Sequence, residues 1–127
     1  MGTIKKVFFL IFILSASLWA TEWLNYDQAK ALQKKNHKPI MLDIMRNTCH
    51  FCKKMDQDVF SNKEMIQWLQ ERFILVQINL DEDLMPIDEE VTFTPTFYFL
   101  DESGKILKKI PGSWNIQDFK DLTRNIK

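Results

Sequence analysis

The sequence is poor in the residues that mark several classes of protein. Its 127 residues include only two cysteines, two histidines, three glycines and four prolines. Two cysteines exclude a disulfide-rich scaffold, and so little glycine and proline excludes a collagen-like or low-complexity chain. Neither sign of charge is in excess, since 17 basic residues match 17 acidic ones. Without a basic excess to neutralise phosphates, we expect no binding to nucleic acid.

An unbroken apolar run lies near the amino terminus, over residues 7–14. Two lysines precede the run, and the small residues Ser15, Ala16, Ser17 and Ala20 follow it. This layout is typical of a secretory signal, and the run falls short of the ~20 residues that a membrane-spanning helix needs. We predict a signal peptide over 1–20, with cleavage after Ser17 as the competing choice and an uncleaved amino-terminal anchor as the alternative. In either case the domain over 21–127 is exported, and we expect it in the periplasm.

Hydrophobic residues make up 46% of the chain, which suits one packed domain. Their spacing alternates between the helical period and short strand-like runs. Strands are predicted over 40–45, 73–80, 96–100 and 105–110. Helices are predicted over 26–35, from the first cysteine to a break near 60–62, after a capping box that begins at Ser61, and over 116–126. The acidic segment 81–90 is predicted to be a loop or a short irregular helix.

This order of elements predicts an α/β fold. A crossover through helices makes the first two strands parallel, and the tight turn after residue 100 makes the last two antiparallel. We therefore expect a central mixed four-stranded sheet flanked by helices on both faces. The last strand alternates polar and apolar residues, so we expect it at an edge of the sheet.

The two cysteines form a C-x-x-C motif, Cys49-His50-Phe51-Cys52, where a buried strand meets a helix. At the start of a helix, unpaired N–H groups and the helix dipole favour a thiolate. Such a thiolate attacks a foreign disulfide, and a second thiol one turn later resolves the mixed disulfide. We predict that only Cys49 is exposed and that His50 adds positive charge. The pattern points to thiol–disulfide exchange.

Other uses of the motif stay open at this point. A zinc site needs two further ligands. The chain has no second pair of cysteines, and His37 and His50 are its only histidines, so we do not favour a structural zinc site. A purely structural disulfide over so short a span constrains the unfolded chain very little. The main alternative is a Cu(I)-binding or metallochaperone module that uses Cys49, Cys52 and His50. A binding module with a redox-inactive face is a weaker option, because both cysteines are intact.

Four segments together resemble the thioredoxin-like family: IMLDIMRNTCHFCKKM, DVFSNKEMIQWL, VQINLDED and FTPTFYFLDESGKILKKIPG. The nearest likeness is to exported, periplasmic-type thiol:disulfide interchange proteins. The resemblance implies a thioredoxin fold in which Cys49 attacks and Cys52 resolves. Pro95 matches the family's cis-proline opposite the cysteines, so Thr94 is expected to pair with an extended substrate chain. We also assign His50 and Phe51 to the substrate-binding surface.

Asp43 is a lone carboxylate inside an apolar strand. Burial would raise its pKa and equip it to accept the proton of Cys52; the alternative is a side chain that reaches water at the end of the sheet. In the resemblance Asp43 matches the acid buried beneath the resolving cysteine. Gln77 departs from the family pattern, because it stands where a lysine accompanies that acid, and this weakens the assignment. Thr48 also departs from it, in place of a tryptophan, and His50-Phe51 replaces Gly-Pro.

The sequence therefore predicts an extracytoplasmic thiol–disulfide oxidoreductase. Its catalytic residues would be Cys49, Cys52 and Asp43, and its substrates would be protein disulfides or dithiols. Reduction of substrates is slightly favoured over oxidation. We expect no bound cofactor, no metal, a membrane electron-transfer partner and a monomer.

Overall fold

A computed structural model describes residues 22–127 of the chain. The predicted signal peptide over 1–20 lies outside the described residues. The helices of this part are α1 (Tyr26–Asn36), α2 (His50–Met55), α3 (Lys63–Arg72) and α4 (Ile116–Thr123), and a π-helical turn (Asp56–Phe60) continues α2. The strands are β1 (Ile40–Met45), β2 (Ile74–Asn79), β3 (Thr96–Leu100) and β4 (Ile106–Pro111). The predicted order of elements is confirmed.

The strands form one mixed sheet in the order β2-β1-β3-β4. β1 pairs parallel to β2 and antiparallel to β3, and β3 pairs antiparallel to β4. β4 is an edge strand in which exposed and less exposed residues alternate, as predicted. The register sets Asp43 of β1 between Gln77 of β2 and Phe97 of β3. Three residues far apart in sequence therefore meet at the centre of the sheet.

Hydrophobic clusters cover both faces of the sheet, which confirms the prediction of helices on either side. On one face, α2, α3 and α4 pack residues such as Met55, Leu69 and Phe119 against the strands. On the other face, α1 packs Ala29 against a second cluster. The segment 80–95 contains neither helix nor strand, and its partly buried apolar residues complete the cover of that second face. The predicted loop over 81–90 is thus confirmed.

The start of α3 differs from the prediction. Ser61 was expected to cap this helix, but its backbone is helical and its hydroxyl donates to the carbonyl oxygen of Gln57. The extended residue is Asn62, whose side chain accepts the N–H of Met65 at 2.9 Å. An amide oxygen on an extended residue is a good helix cap. The capping box at Ser61 was therefore wrong by one residue.

The carboxyl-terminal helix is shorter than its apolar stripe suggested. α4 ends at Thr123, whose hydroxyl donates back to the carbonyl of Phe119 at 2.7 Å. Ile126 still packs against the core from the turn that follows. Within the described part of the chain, no helix combines the length and apolar character needed to cross a bilayer.

Candidate active site

The Cys49–Cys52 pair lies at the junction between β1 and α2. β1 ends at Met45, three residues follow, and Cys49 is the extended N-cap of α2. The two cysteines form a disulfide with their Cα atoms 5.2 Å apart. The backbone N–H of Cys52 donates to Sγ of Cys49 at 3.1 Å. In the reduced form the same N–H would stabilise a Cys49 thiolate, because it belongs to the positive end of the helix.

Both cysteines are nearly covered in this disulfide form. Cys49 is 8% exposed and Cys52 is 4% exposed, so the prediction of an exposed Cys49 was wrong for this state. The cause is the contact of Cys49 with the loop opposite, together with its bond to Cys52. The exposed residues of the motif are instead His50 and Phe51, and Phe51 is 55% exposed. A partner therefore meets Phe51 before it reaches sulfur.

The loop opposite the disulfide contains Thr94 and Pro95. The Thr94–Pro95 peptide bond is cis, the geometry that the family resemblance implied. The Thr94 hydroxyl donates to Sγ of Cys49 at 3.2 Å, and its carbonyl oxygen lies 3.4 Å from the same sulfur. The N–H of Gly112 donates to the Pro95 carbonyl at 2.8 Å, which ties this loop to the end of β4. Phe93, beside Thr94, is 54% exposed.

His50 and Phe51 lie on the first turn of α2, next to the attacking sulfur. Their rings meet edge to face at 5.4 Å between centroids, and both residues are exposed. Lys53 and Lys54 follow on the same helix and are also exposed. The start of α2 thus presents an aromatic surface with basic groups beside it.

Asp43 is buried, with 3% of its surface exposed, so the alternative of a side chain reaching water is wrong. Gln77 donates from Nε2 to Oδ2 of Asp43 at 3.3 Å, and Oδ1 has no hydrogen-bond partner among residues 22–127. Burial raises the pKa of the Asp43 carboxyl from 3.8 to about 7; the Gln77 hydrogen bond lowers this pKa, and the charge of Asp56 raises it. The carboxyl is therefore balanced between its two protonation states near neutral pH.

Asp43 lies on the sheet face that carries α2. Side chains alternate along a strand, and Met41, two residues earlier, packs in the same cluster as Met55 of α2. Burial also raises the pKa of Asp56, whose N–H donates to the carbonyls of Cys52 and Lys53. Asp56 was not among the predicted site residues, although its position one turn after Cys52 was a usable signal. Gln77, a departure from the family pattern, is the hydrogen-bond partner of Asp43 in the structure.

The Cu(I) alternative finds no support. Among residues 22–127, no three histidine, cysteine, aspartate or glutamate side chains gather closely enough to hold a metal ion. In addition, Cys49 and Cys52 are bonded to each other in the structure.

The comparisons with known proteins agree with this geometry. A family model described as a thioredoxin-like domain matches residues 26–127. The thiol:disulfide interchange protein DsbD of Campylobacter jejuni is 34% identical over 97 residues, which cover 74% of this chain but only 17% of that protein. The chain thus corresponds to a small part of that relative's length.

Solved structures show the same fold. A thioredoxin from Thermus thermophilus superposes with a TM-score of 0.66 at 26% identity, covering 81% of this chain and 85% of that one. The carboxyl-terminal domain of DsbD from Neisseria meningitidis, in its oxidised form, has a TM-score of 0.64 at 17% identity, covering 80% of this chain and 91% of that one. At that level of identity the second likeness concerns the fold alone.

Proposed function

We propose, because the chain belongs to the thioredoxin-like family, that it acts as an extracytoplasmic thiol–disulfide oxidoreductase on protein substrates. One observation carries this proposal: the Cys49–Cys52 disulfide lies at the start of α2, with the Thr94 hydroxyl 3.2 Å from the sulfur of Cys49. A reactive sulfur beside a loop with exposed neighbours is the arrangement that disulfide exchange requires. The DsbD relative is named as a thiol:disulfide interchange protein.

The exchange proceeds in two displacements. The Cys49 thiolate attacks one sulfur of a substrate disulfide, forms a mixed disulfide and releases the other substrate sulfur as a thiolate. The Cys52 thiolate then attacks the sulfur of Cys49, closes the Cys49–Cys52 bond and releases the second substrate thiolate. Two electrons pass from the protein to the substrate. Asp43 accepts the proton that Cys52 loses, since its pKa of about 7 suits a base at neutral pH.

The substrate binds across the start of α2 and the loop opposite. The cis bond to Pro95 exposes the backbone of Thr94, which pairs with an extended substrate segment. His50 and Phe51 supply the exposed aromatic contact beside Cys49, with Phe51 at 55% exposure. The substrate thereby brings its sulfur to the edge of a nearly buried disulfide.

The setting is also part of the proposal. The pattern over 1–20 supports cleavage by a signal peptidase and delivery of the domain to the periplasm. There the protein works as a monomer in the reductase direction, and a membrane partner restores its dithiol. Export is tested by expressing the full chain, fractionating the cells and determining the mature amino terminus. A mature chain that begins at Thr21 in the periplasmic fraction supports this setting, and a full-length cytoplasmic product contradicts it.

Catalysis is tested by insulin reduction with dithiothreitol as the electron source. We expect turnover by the wild-type protein and none by Cys49→Ser. Ser103→Ala, in the turn between β3 and β4, is the control and should turn over normally. Turnover by Cys49→Ser at the wild-type rate would contradict the proposal.

The direction of electron flow is tested by equilibrating the Cys49–Cys52 couple with glutathione. A reduction potential of about −270 mV, the value typical of thioredoxin, favours a reductase. A reduction potential of about −120 mV, the value typical of a strong periplasmic oxidant, would reverse the proposed direction.

A further inference from the structure

The segment 46–48 joins the end of β1 to Cys49 and is exposed throughout. It belongs to no strand or helix, so side chains must fix its path. The backbone N–H of Asn47, two residues before Cys49, donates to Oδ2 of Asp81 at 2.7 Å. Because this segment is only three residues long, any movement of Asn47 is passed on to Cys49.

Asp81 is itself held by the turn that follows β2. Its N–H donates to the side-chain oxygen of Asn79 at 3.0 Å. The side-chain nitrogen of Asn79 donates to Oδ1 of Asn47 at 2.6 Å. The N–H of Leu80 donates to the carbonyl of Met45 at 2.9 Å. The β1–β2 pairing thus continues past the strand ends as a set of mostly side-chain contacts, which we call the Asp81 clamp.

The clamp also balances charge. Nη1 of Arg46 lies 3.5 Å from Oδ1 of Asp81, while the other oxygen of Asp81 takes the Asn47 N–H. The two carboxylate oxygens therefore have separate partners on the same segment. A side chain that engages both the charge and the backbone of a segment fixes its position more firmly than either contact alone.

We infer that Asp81 is a positioning residue for the attack of Cys49, since it fixes the segment that delivers this sulfur to the start of α2. The inference rests on the proposed oxidoreductase function. Displacement at a disulfide needs the attacking sulfur to be held in line with the bond that breaks, and small misplacements of a reacting atom are costly. Asp81→Ala removes both contacts. Asp81→Asn keeps an oxygen for the Asn47 N–H but lacks the charge, so the pair separates geometry from electrostatics.

The experiment measures the second-order rate constant at which the reduced protein attacks oxidised glutathione. In this step a bond forms between Cys49 and one glutathione sulfur, and the other glutathione leaves as a thiolate. We expect Asp81→Ala to be slower by about tenfold, below the hundredfold that a displacement of about 1 Å can cost. Asp81→Asn should stay within about threefold of wild type, because it keeps the backbone contact.

The matched control is Asp101→Ala. Asp101 makes the same kind of contact in the turn between β3 and β4, accepting the N–H groups of Ser103 and Lys105 at 2.9 Å each. Its loss perturbs a turn without touching the segment before Cys49. We expect a wild-type rate for this control, and circular dichroism should show every variant folded.

A second readout is the equilibrium constant of the Cys49–Cys52 disulfide against glutathione. Loosening Cys49 should make the disulfide several-fold easier to reduce in Asp81→Ala and leave it unchanged in Asp101→Ala. Equal rates and equilibrium constants for the two alanine variants would overturn the inference, even if wild type reduces insulin. An inactive wild type would instead refute the proposed function, and the equilibrium constants would still decide the role of Asp81.

Discussion

The carboxyl of Asp43 should make the stability of the oxidised protein depend on pH. Its pKa in the folded protein is about 7, against 3.8 for the free side chain. Between these values the folded state holds a proton that the unfolded state has lost, so stability falls as pH rises. The stabilisation is fully present below about pH 4 and is lost by the time the pH passes about 7.

The size of the effect follows from the width of this window. Where only the folded state holds the proton, each pH unit changes the free energy of unfolding by about 1.4 kcal/mol. From pH 5 to pH 8 the loss should total about 2.5 kcal/mol, because the slope flattens once the folded carboxyl ionises near pH 7. Asp43→Asn keeps the shape of the side chain but cannot ionise. The variant should therefore overtake wild type in stability as pH rises.

The assay is urea unfolding of the oxidised proteins at pH 5, 6, 7 and 8, followed by circular dichroism. Keeping the disulfide closed prevents the thiols from titrating. At each pH, the free energy of unfolding of Asp43→Asn is subtracted from that of wild type. This difference cancels the contributions of the titratable groups that both proteins share. Asp58→Asn, an exposed aspartate paired with Lys54 at 3.9 Å, is the control and should run parallel to wild type. If the free energies of unfolding of wild type and Asp43→Asn differ by the same amount at every pH in this range, the reasoning is refuted.

Three further predictions concern the pair of cysteines, the partner of Asp43 and the core. Cys52→Ser should lose turnover but accumulate a mixed disulfide through Cys49, visible on non-reducing gels, because nothing resolves it; continued turnover would contradict this. Gln77→Leu removes a hydrogen bond that lowers the pKa of Asp43, so the loss of stability should move to higher pH, and an unshifted profile would contradict it. Phe97→Ala should cost about 3–5 kcal/mol in urea unfolding, because Phe97 is fully buried, whereas the exposed Phe93→Ala should cost little.

Much of the fold could be read from the chain because its strands are simple in pattern. β1 and β3 begin and end where predicted, at Ile40–Met45 and Thr96–Leu100, since both are buried apolar runs with abrupt polar or turn-forming flanks. Helix ends were harder. Ser61 and Asn62 are both good capping residues, and only the backbone conformation decides which of them caps. The pattern also could not show that α4 ends before Ile126.

The site was predictable where it depends on sequence neighbours and obscure where it depends on register. The C-x-x-C spacing identified Cys49 and Cys52, but not that Thr94 packs on the sulfur and leaves Cys49 only 8% exposed. The Asp81 clamp joins segments that are 34 residues apart. Such contacts follow from the alignment of β1 with β2, which no local pattern reveals.

The environment of Asp43 depends both on its sequence neighbours and on the register of the sheet. Its position in an apolar run suggested burial, and the register gave it Gln77, a neutral donor that leaves one carboxyl oxygen without a partner. A buried polar atom without a partner destabilises a protein, and an apolar residue of similar size would avoid this cost. A group that weakens the fold while its pKa lies near neutrality is better explained by chemistry than by packing. The pH profile of Asp43→Asn therefore tests function as well as stability: the variant should gain stability above pH 7 and turn over more slowly there.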